Sequence, residues 1–247
     1  MRPTKERATF SAKTGENTCP LCGGGETAPY HRDKARDYWC CHICGLVFVP
    51  PGQHLSAEAE KACYDQHDNR PDDPAYRRFL DRLFTPLNQR LAPNSRGLDF
   101  GCGPGPTLSV MFEEAGHRVA LYDPFYAPDK SVLAAGSGQP DQPDQYDFIT
   151  LSEVAEHLAQ PGKELDHLWS LLAPGGWLGI MTKRVASPPT IKSLKAFTSW
   201  HYINDPTHIC FFADATFRWL ANRWSATGAP ATLTIAGNDV VLLQKRL

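Results

Sequence analysis

Long apolar runs are missing from this sequence of 247 residues. A helix needs roughly 20 consecutive apolar residues to cross a bilayer, and no stretch of the chain approaches that length. Residues 2–13 are polar, whereas a secretory signal peptide has an apolar centre. We therefore expect a protein that has no membrane partner and is cytoplasmic.

A strong net charge and internal repeats are also lacking. The formal net charge is only -2, which argues against an overall electrostatic attraction to nucleic acids or anionic membranes, although it leaves room for a local basic patch. No internal repeat or low-complexity tract is present. With 42% apolar residues the chain is long enough to bury a full core, and we expect one large domain and a small accessory one.

Cysteines are concentrated near the amino terminus, where five of the eight fall between residues 19 and 44. They include two C-x2-C pairs separated by eighteen residues, a spacing with which two tight turns can present four thiolates to one zinc ion. This spacing predicts a zinc ribbon over residues 16–50 rather than a set of disulfides. The predicted ligands are Cys19, Cys22, Cys41 and Cys44.

Four thiolate ligands are typical of a closed structural site, which keeps no open position for catalysis. The ribbon has too little apolar material to fold alone, so the metal would contribute folding free energy. Two alternatives stay open. The thiols could be reduced and hold no metal, or Cys40 or His42 could replace Cys41 as a ligand.

The rest of the chain divides into a connector and a larger domain. Residues 51–94 carry apolar residues at helical spacing, interrupted at Pro71, Pro74 and Pro86, and are predicted to form a helical connector. From residue 97 onward strand-like and helix-like segments alternate, which predicts a parallel sheet in a domain over 95–247. The last two strand-like segments predict a terminal antiparallel hairpin. Residues 1–15 are predicted to be a flexible tail.

The sequence LDFGCGPG at residues 98–105 joins a short apolar strand to a glycine-rich turn. Glycine has no Cβ atom, so the turn can adopt positive φ and a ligand can lie against its amides. The spacing G-x-G-x-G differs from the dinucleotide-binding fingerprint G-x-G-x-x-G. Asp99 would offer a carboxylate to a positive group, and Asp123, at the end of the next predicted strand, would accept hydrogen bonds from ribose hydroxyls.

These motifs, together with TLSEVAEHL at 150–158 and LAPGGWLGI at 172–180, resemble the class I methyltransferases that use S-adenosylmethionine (SAM), in particular their quinol-methylase-like branch. The resemblance covers residues 97–247. It implies an α/β fold with a Rossmann-like seven-stranded sheet, SAM as the cofactor and S-adenosylhomocysteine (SAH) as the product. The cofactor-binding residues that follow from the motifs and the resemblance are Asp99, Gly101, Cys102, Gly103, Gly105, Asp123, Leu151, Ser152 and Glu153.

Within this set, Glu153 would take the methionine amine of SAM. The alternative for Glu153 and Glu156 is that both are ordinary acids in the first turn of a helix, where they complement the helix dipole.

The segment WHYINDPTHICFF at 200–212 concentrates polar and aromatic side chains where this superfamily builds much of its acceptor pocket. We predict that His208 is a general base and that Asp205 orients it, because histidine titrates near working pH. His201 and Tyr202 are predicted acceptor contacts. His157 is a rival base, and a proline-centred turn with locally hydrogen-bonded histidines is the non-catalytic alternative.

Three functions are compatible with these features. The first is methyl transfer from SAM to a small-molecule acceptor, with the ribbon near the acceptor side. In the second, the ribbon recognises an RNA or protein substrate through Arg32, Lys34 and Arg36, which lie between its two cysteine pairs. The third is a protein that binds SAM or SAH without chemistry.

Overall fold

The computed structural model describes residues 17–66, 69–134, 145–186, 190–228 and 230–246. The predicted tail over 1–15 lies outside the described residues. Among the described residues, no helix combines the length and the apolar character that a membrane crossing requires.

Three short antiparallel strands form the amino-terminal unit. They are β1 (Thr27–Arg32), β2 (Asp37–Cys41) and β3 (Val47–Phe48). The two cysteine pairs lie on tight turns before β1 and after β2, and each turn ends in a glycine with positive φ, Gly23 at 72° and Gly45 at 75°. The tight turns expected at the two C-x2-C pairs are therefore present, and a glycine accommodates the positive φ at the end of each.

The connector is helical, as its periodicity predicts. It contains α1 (Ala57–Tyr64) and α2 (Pro74–Asn88). Helix α2 begins at Pro74, and the carboxylate of Asp73 caps it by accepting from the amide of Ala75. The predicted interruption at Pro86 is wrong, because α2 continues through it. Pro86 lies in the last turn, where one missing N–H costs little against the burial of the leucine face of α2.

The larger domain alternates strands and helices and then ends in a hairpin. Its elements are β4 (Arg96–Phe100), α3 (Thr107–Glu114), β5 (Arg118–Tyr122), β6 (Tyr146–Ser152), α4 (Pro161–Leu171), β7 (Leu172–Met181), α5 (Ile191–Thr198), β8 (Cys210–Phe211), α6 (Asp214–Ala226), β9 (Ala231–Ala236) and β10 (Val240–Lys245).

The main sheet has the strand order β5-β4-β6-β7-β10-β9. The first four strands are parallel, whereas β10 is antiparallel to both β7 and β9. This arrangement confirms the predicted Rossmann-like α/β fold with a carboxyl-terminal antiparallel hairpin. The sheet has six strands among the described residues rather than seven. The stretch expected to hold the third strand contains the 3-10 turn Lys130–Ala134, and residues 135–144 lie outside the described part.

The amino-terminal unit shares a sheet with the larger domain, because β3 pairs with β8 in the order β1-β2-β3-β8. Leu46 and Phe48 are fully buried in one cluster with Phe211 and Phe217. A second buried cluster, on α2, α3 and the strands facing them, includes Phe112. The chain thus buries the face of its amino-terminal sheet against the segment that leads to α6.

Candidate cofactor and acceptor site

A cavity of about 980 Å³ opens at the carboxyl ends of β4, β5 and β6. Strand β4 lies between β5 and β6, so the chain reverses its winding direction there. Open α/β sheets bind ligands outside the carboxyl ends of their strands at such a reversal. The cavity therefore lies where the fold favours a ligand.

The glycine-rich turn after β4 forms one wall of this cavity. Gly103 has φ 65°, which favours glycine. A Cβ atom on Gly105 would lie 1.8 Å from the carbonyl oxygen of Asn69, in the segment between α1 and α2. Glycine is thus required at one position by conformation and at the other by the close approach of the connector.

Asp123 joins the ends of β4 and β5 and also lines the cavity. Its Oδ2 accepts from the amide of Gly103 at 3.1 Å, and its Oδ1 accepts from the amides of Phe125 and Tyr126 at 2.8 and 3.1 Å. A carboxylate has about four lone-pair sites, so hydroxyl groups of a ligand can still donate to it. Asp123 therefore holds the glycine turn and faces the place predicted for a ribose.

Asp99 borders the cavity but is almost completely buried. Ser109 and Thr150 donate to its two oxygens, each at 2.8 Å. Burial raises the pKa of Asp99, and the donated hydrogen bonds oppose that rise only in part. This carboxyl group ties β4 to α3 and β6.

Ser152 and Glu153, at the end of β6, line the cavity, whereas Leu151 is fully buried and does not. Glu153 has φ 54°, a strained conformation for a residue with a side chain. Its Oε1 is buried and has no hydrogen-bond partner among the described residues. Burial, followed by the nearby carboxylate of Glu156, raises the pKa of Glu153 to about 8.

The cavity wall also includes His157, Asp205 and His208. His208 Nδ1 lies 2.8 Å from the carbonyl oxygen of Tyr202, and His157 Nδ1 lies 3.1 Å from that of Thr207. The two imidazole rings are 4.8 Å apart between centroids. The predicted base and its rival are therefore neighbours.

Asp205 lies close to His208 but does not hydrogen-bond to it, because Oδ2 is 3.7 Å from Nε2. Its Oδ1 accepts from the amide and the hydroxyl of Thr207 at 2.9 and 2.5 Å. Burial lowers the pKa of His208, since it disfavours the charged imidazolium.

The other two predicted acceptor contacts are not among the residues that line the cavity. The 3-10 turn His201–Asn204 directs Tyr202 inward, where its hydroxyl donates to the carboxylate of Glu156. His201 is exposed, and Lys183 Nζ donates to its Nε2 at 3.2 Å. Tyr202 thus lies behind His208, with 4.0 Å between the ring centroids.

Arg36, one of the three basic residues named for recognition of an RNA or protein substrate, is buried. Its guanidinium donates to four backbone carbonyls in the segment that carries Asp205 and His208. These are the carbonyls of Ile203, Asp205, Pro206 and His208, at 2.5, 3.0, 3.1 and 2.9 Å. The amino-terminal unit therefore holds the backbone that carries Asp205 and His208.

Two side-chain clusters of the described residues have the spacing of metal ligands. The first is Cys19, Cys22, Cys41 and Cys44, with Sγ–Sγ distances of 3.6 and 3.5 Å across it. Four sulfurs in a tetrahedral zinc site are about 3.8 Å apart, so the donor set fits zinc. The Sγ of Cys40 points instead to the carbonyl of Cys41. The second cluster is Glu156, His157 and His208.

Some cavity residues were not predicted from the sequence. The connector contributes Tyr64 and Asn69 to the cavity wall, and Tyr64 packs edge-on against His157. No local signal marks either residue, because both reach the cavity through the packing of the connector on the larger domain.

A family model described as "Methyltransferase domain" matches residues 66–224, which is more than half of the chain. The match runs from the connector through most of the larger domain and ends within α6. The chain accordingly belongs to the methyltransferase-domain family and is a methyltransferase. The comparison with curated proteins gave no match.

Similar solved structures include 1,6-didemethyltoxoflavin-N1-methyltransferase from Burkholderia thailandensis, bound to 1,6-didemethyltoxoflavin and SAH. Its identity is 19% and its TM-score 0.48, over 89% of this chain and 99% of that one. The N-methyltransferase NodS from Bradyrhizobium japonicum has 18% identity and a TM-score of 0.43, over 71% of this chain and 99% of that one. An O-methyltransferase family protein from Burkholderia thailandensis has 17% identity and a TM-score of 0.49, over 78% of this chain and 60% of that one.

Proposed function

We propose that this chain transfers the methyl group of SAM to a small-molecule acceptor and releases SAH. One observation carries the proposal: a single cavity of about 980 Å³ is lined both by the glycine turn with Asp123, here called the cofactor end, and by the two histidines, here called the acceptor end. Ligand pockets for small molecules are typically about 300–1,000 Å³. A cavity at the top of that range has room for a cofactor and a second molecule side by side.

The cofactor end offers a partner for each polar part of SAM. Glu153 presents a buried oxygen that has no partner among the described residues, and an ammonium group would satisfy it. Asp123 retains lone pairs for ribose hydroxyls. The backbone of Gly101, Cys102, Gly103 and Gly105 leaves space for the ligand beside Ser152. When bound, SAM supplies an electrophilic methyl group on its sulfonium.

At the acceptor end, this chain aligns the acceptor and takes up its proton. The carbonyl of Tyr202 can only accept a hydrogen bond, so the Nδ1 of His208 carries the hydrogen and its Nε2 bears a lone pair in the neutral ring. Asp205 lies 3.7 Å from that Nε2, and its carboxylate would stabilise the imidazolium that forms when Nε2 takes up the proton. Tyr202 positions His208 and Glu156 in this proposal, and His201 lies outside the wall of the cavity.

Zinc would be structural and would be held by the four thiolates of the ribbon over 16–50. The connector over 51–94 covers the cavity mouth, and the catalytic domain occupies 95–247. Arg36 then links the folded ribbon to the backbone at the acceptor end through its hydrogen bonds to four carbonyls. The burial of Arg36 also counts against an RNA-reading ribbon, since it removes one of the three basic side chains from the surface.

Calorimetric titration of the purified chain with SAM and with SAH tests the cofactor site. We expect binding in the wild type and at least a tenfold loss of affinity in Gly103→Ile and in Asp123→Ala. The isoleucine side chain would occupy the glycine turn, and the loss of the Asp123 carboxylate would remove the hydrogen bond that holds this turn. Asp129→Ala is the matched control, since Asp129 is exposed and only caps the amide of Ser131. Absence of SAH binding to the wild type would refute the proposal.

A second experiment separates catalysis from mere binding. Small molecules with hydroxyl or amine groups are screened with methyl-labelled SAM, and each active acceptor is repeated with His208→Ala. Lost transfer with unchanged SAH affinity supports a catalytic role for His208. Tight SAH binding with no transfer to any acceptor would favour the binding protein instead.

A further inference from the structure

Strand β9 forms one outer edge of the main sheet, because among the described residues it pairs with β10 alone. Its sequence ATLTIA holds no charged residue, no proline and no glycine, and all six residues are partly exposed. Its pairing with β10 is regular and contains no bulge. Natural edge strands usually carry a lysine, a proline or a bulge, or are covered, because an open row of amides and carbonyls pairs readily with another chain.

The other sheet edges in the described part of the chain have such protection. Strand β1 contains Pro29, and its pairing is bulged between Pro29 and His31. Strand β8 has only two residues. Strand β5 contacts the 3-10 turn Lys130–Ala134, which follows it in the chain. This comparison leaves β9 as the edge that is open to a partner.

The pairing of β9 with β10 decides which backbone groups of β9 face outward. The amide of Arg246 donates to the carbonyl of Pro230 at 2.8 Å, which continues the register of the two strands by one position. In an antiparallel pair, residues that bond to the partner strand alternate with residues whose backbone groups point away from it. Residues 232, 234 and 236 therefore bond to β10, and residues 231, 233 and 235 face the open edge.

Two of these outward-facing residues have backbone groups available for a new strand. The amide of Ala231 donates to Ser225 Oγ at 2.9 Å. For Leu233 and Ile235, the structure shows no hydrogen bond from their backbone to any other described element on this side. Leu233 and Ile235 flank Thr234 symmetrically. The open edge thus presents two amides and two carbonyls centred on one residue.

We propose that β9 pairs antiparallel with β9 of a second copy of this chain, about a two-fold axis at Thr234. In this register the amide and carbonyl of Leu233 bond to those of the partner's Ile235, and the symmetry repeats both bonds. Thr234 lies opposite the partner's Thr234, and facing threonines can hydrogen-bond through their hydroxyl groups. The main sheets of the two copies then form one continuous sheet.

A second copy fits this edge better than the other candidates do. Because β9 carries no charge, pairing with itself places no like charges opposite each other. The net charge of -2 is also small, so two copies repel each other little. Two segments of the chain outside the described residues match the edge less well. Residues 1–16 include six charged residues, and residues 135–144 include two prolines and two aspartates.

Sedimentation of the full chain over a range of concentrations tests the proposal. We expect a dimer in the wild type and at least tenfold weaker association in Thr234→Lys and in Thr234→Glu. Each variant places like charges directly opposite each other at the two-fold axis, which destabilises a strand pair. Thr198→Lys is the matched control and should dimerise as the wild type does, because Thr198 is exposed on α5, which contacts β1.

An equimolar mixture of Thr234→Lys and Thr234→Glu should associate at least tenfold more tightly than either variant alone, because opposite charges then face each other. Such recovery also shows that both variants are folded. A wild type that stays monomeric at every concentration overturns the proposal. So does Thr234→Lys that dimerises as tightly as the wild type, or a mixture no tighter than its components.

The affinity for SAH is measured on the same samples. No residue of β9 lines the cavity, so we expect the same SAH affinity in the wild type and in the Thr234 variants. Failure of the dimer with SAH binding intact overturns this inference alone. A dimer that behaves as expected but binds no SAH supports the inference and refutes the proposed function.

Discussion

The guanidinium of Arg36 donates a hydrogen bond of 2.9 Å to the carbonyl oxygen of His208. Arg36 lies between the two cysteine pairs, whereas His208 lines the cavity of the methyltransferase domain. The same guanidinium reaches three further carbonyls of the segment before His208. An arginine of the amino-terminal unit therefore fixes the backbone that carries Asp205 and His208.

Arg36→Gln should destabilise the protein strongly. Loss of the guanidinium leaves several carbonyls without their donor, and a buried unsatisfied group costs about 1–3 kcal/mol. We expect the free energy of unfolding in urea to fall by about 3 kcal/mol, close to the upper end for single substitutions. Arg32→Gln is the control, because the side chain of Arg32 is 80% exposed and surface changes usually stay within about 0.5 kcal/mol. Equal losses in the two variants would contradict the role of Arg36.

Gly162→Ala should loosen the contact between the amino-terminal unit and α4. A Cβ atom there would lie 2.2 Å from the carbonyl oxygen of Leu21, and the amide of Gly162 donates to the carbonyl of Pro20 at 3.2 Å. Overpacking of this kind costs about 1–3 kcal/mol, which exceeds the gain of about 1 kcal/mol that alanine brings to a helix.

The melting temperature of Gly162→Ala is the measurement, with Gly25→Ala as its control. A Cβ atom on Gly25 would meet no atom within 4 Å. A melting temperature of Gly162→Ala at or above that of the wild type would show that the amino-terminal unit does not pack on α4 as closely as the structure indicates.

Cysteine substitutions should separate the zinc ligands from their neighbour. Cys22 belongs to the four-thiol cluster, whereas Cys40 directs its Sγ at the carbonyl of Cys41. If the four thiols bind zinc as proposed, we expect Cys22→Ser to lose zinc and to melt at a lower temperature, since the bound metal would contribute folding free energy. Cys40→Ser should keep one zinc per chain by elemental analysis. A Cys22→Ser protein with full zinc content would exclude the proposed ligand set.

His117 should make stability depend on pH below neutrality. Burial lowers the pKa of His117 below its ordinary value of 6.5, and its Nε2 lies 2.8 Å from Asn88 Oδ1. Above pH 6.5 both the folded and the unfolded forms carry a neutral ring, and the full stability is present. As the pH falls below 6.5, the unfolded chain binds a proton first, so stability is lost down to the lowered pKa of the folded form.

Urea midpoints at pH 7.5 and 5.5 measure this dependence. A single histidine contributes at most about 1.4 kcal/mol per pH unit, and His117→Gln should show a smaller loss on acidification than the wild type. His201→Gln should follow the wild type, because His201 is exposed. An identical pH dependence in His117→Gln and the wild type would show that another group is responsible.

Local signals account for what could be predicted from the sequence. The C-x2-C-G turns, the glycine turn after β4 and the terminal hairpin each depend on neighbouring residues, and the structure has all three. The burial of Arg36, the inward direction of Tyr202 and the contribution of Asn69 depend on segments far apart in the chain. The position of Arg36 between the two cysteine pairs could not reveal its burial, because an arginine is usually exposed unless it is paired.

The pairing of β3 with β8 has a consequence for synthesis on the ribosome. Domains generally fold as units in the order in which they emerge, but the amino-terminal sheet lacks its fourth strand until Cys210 and Phe211 have been made. The edge of β3 that pairs with β8 therefore stays unpaired until the ribosome has made residues 210 and 211. A metal ion bound early by the four cysteines would keep this nascent unit folded during that interval.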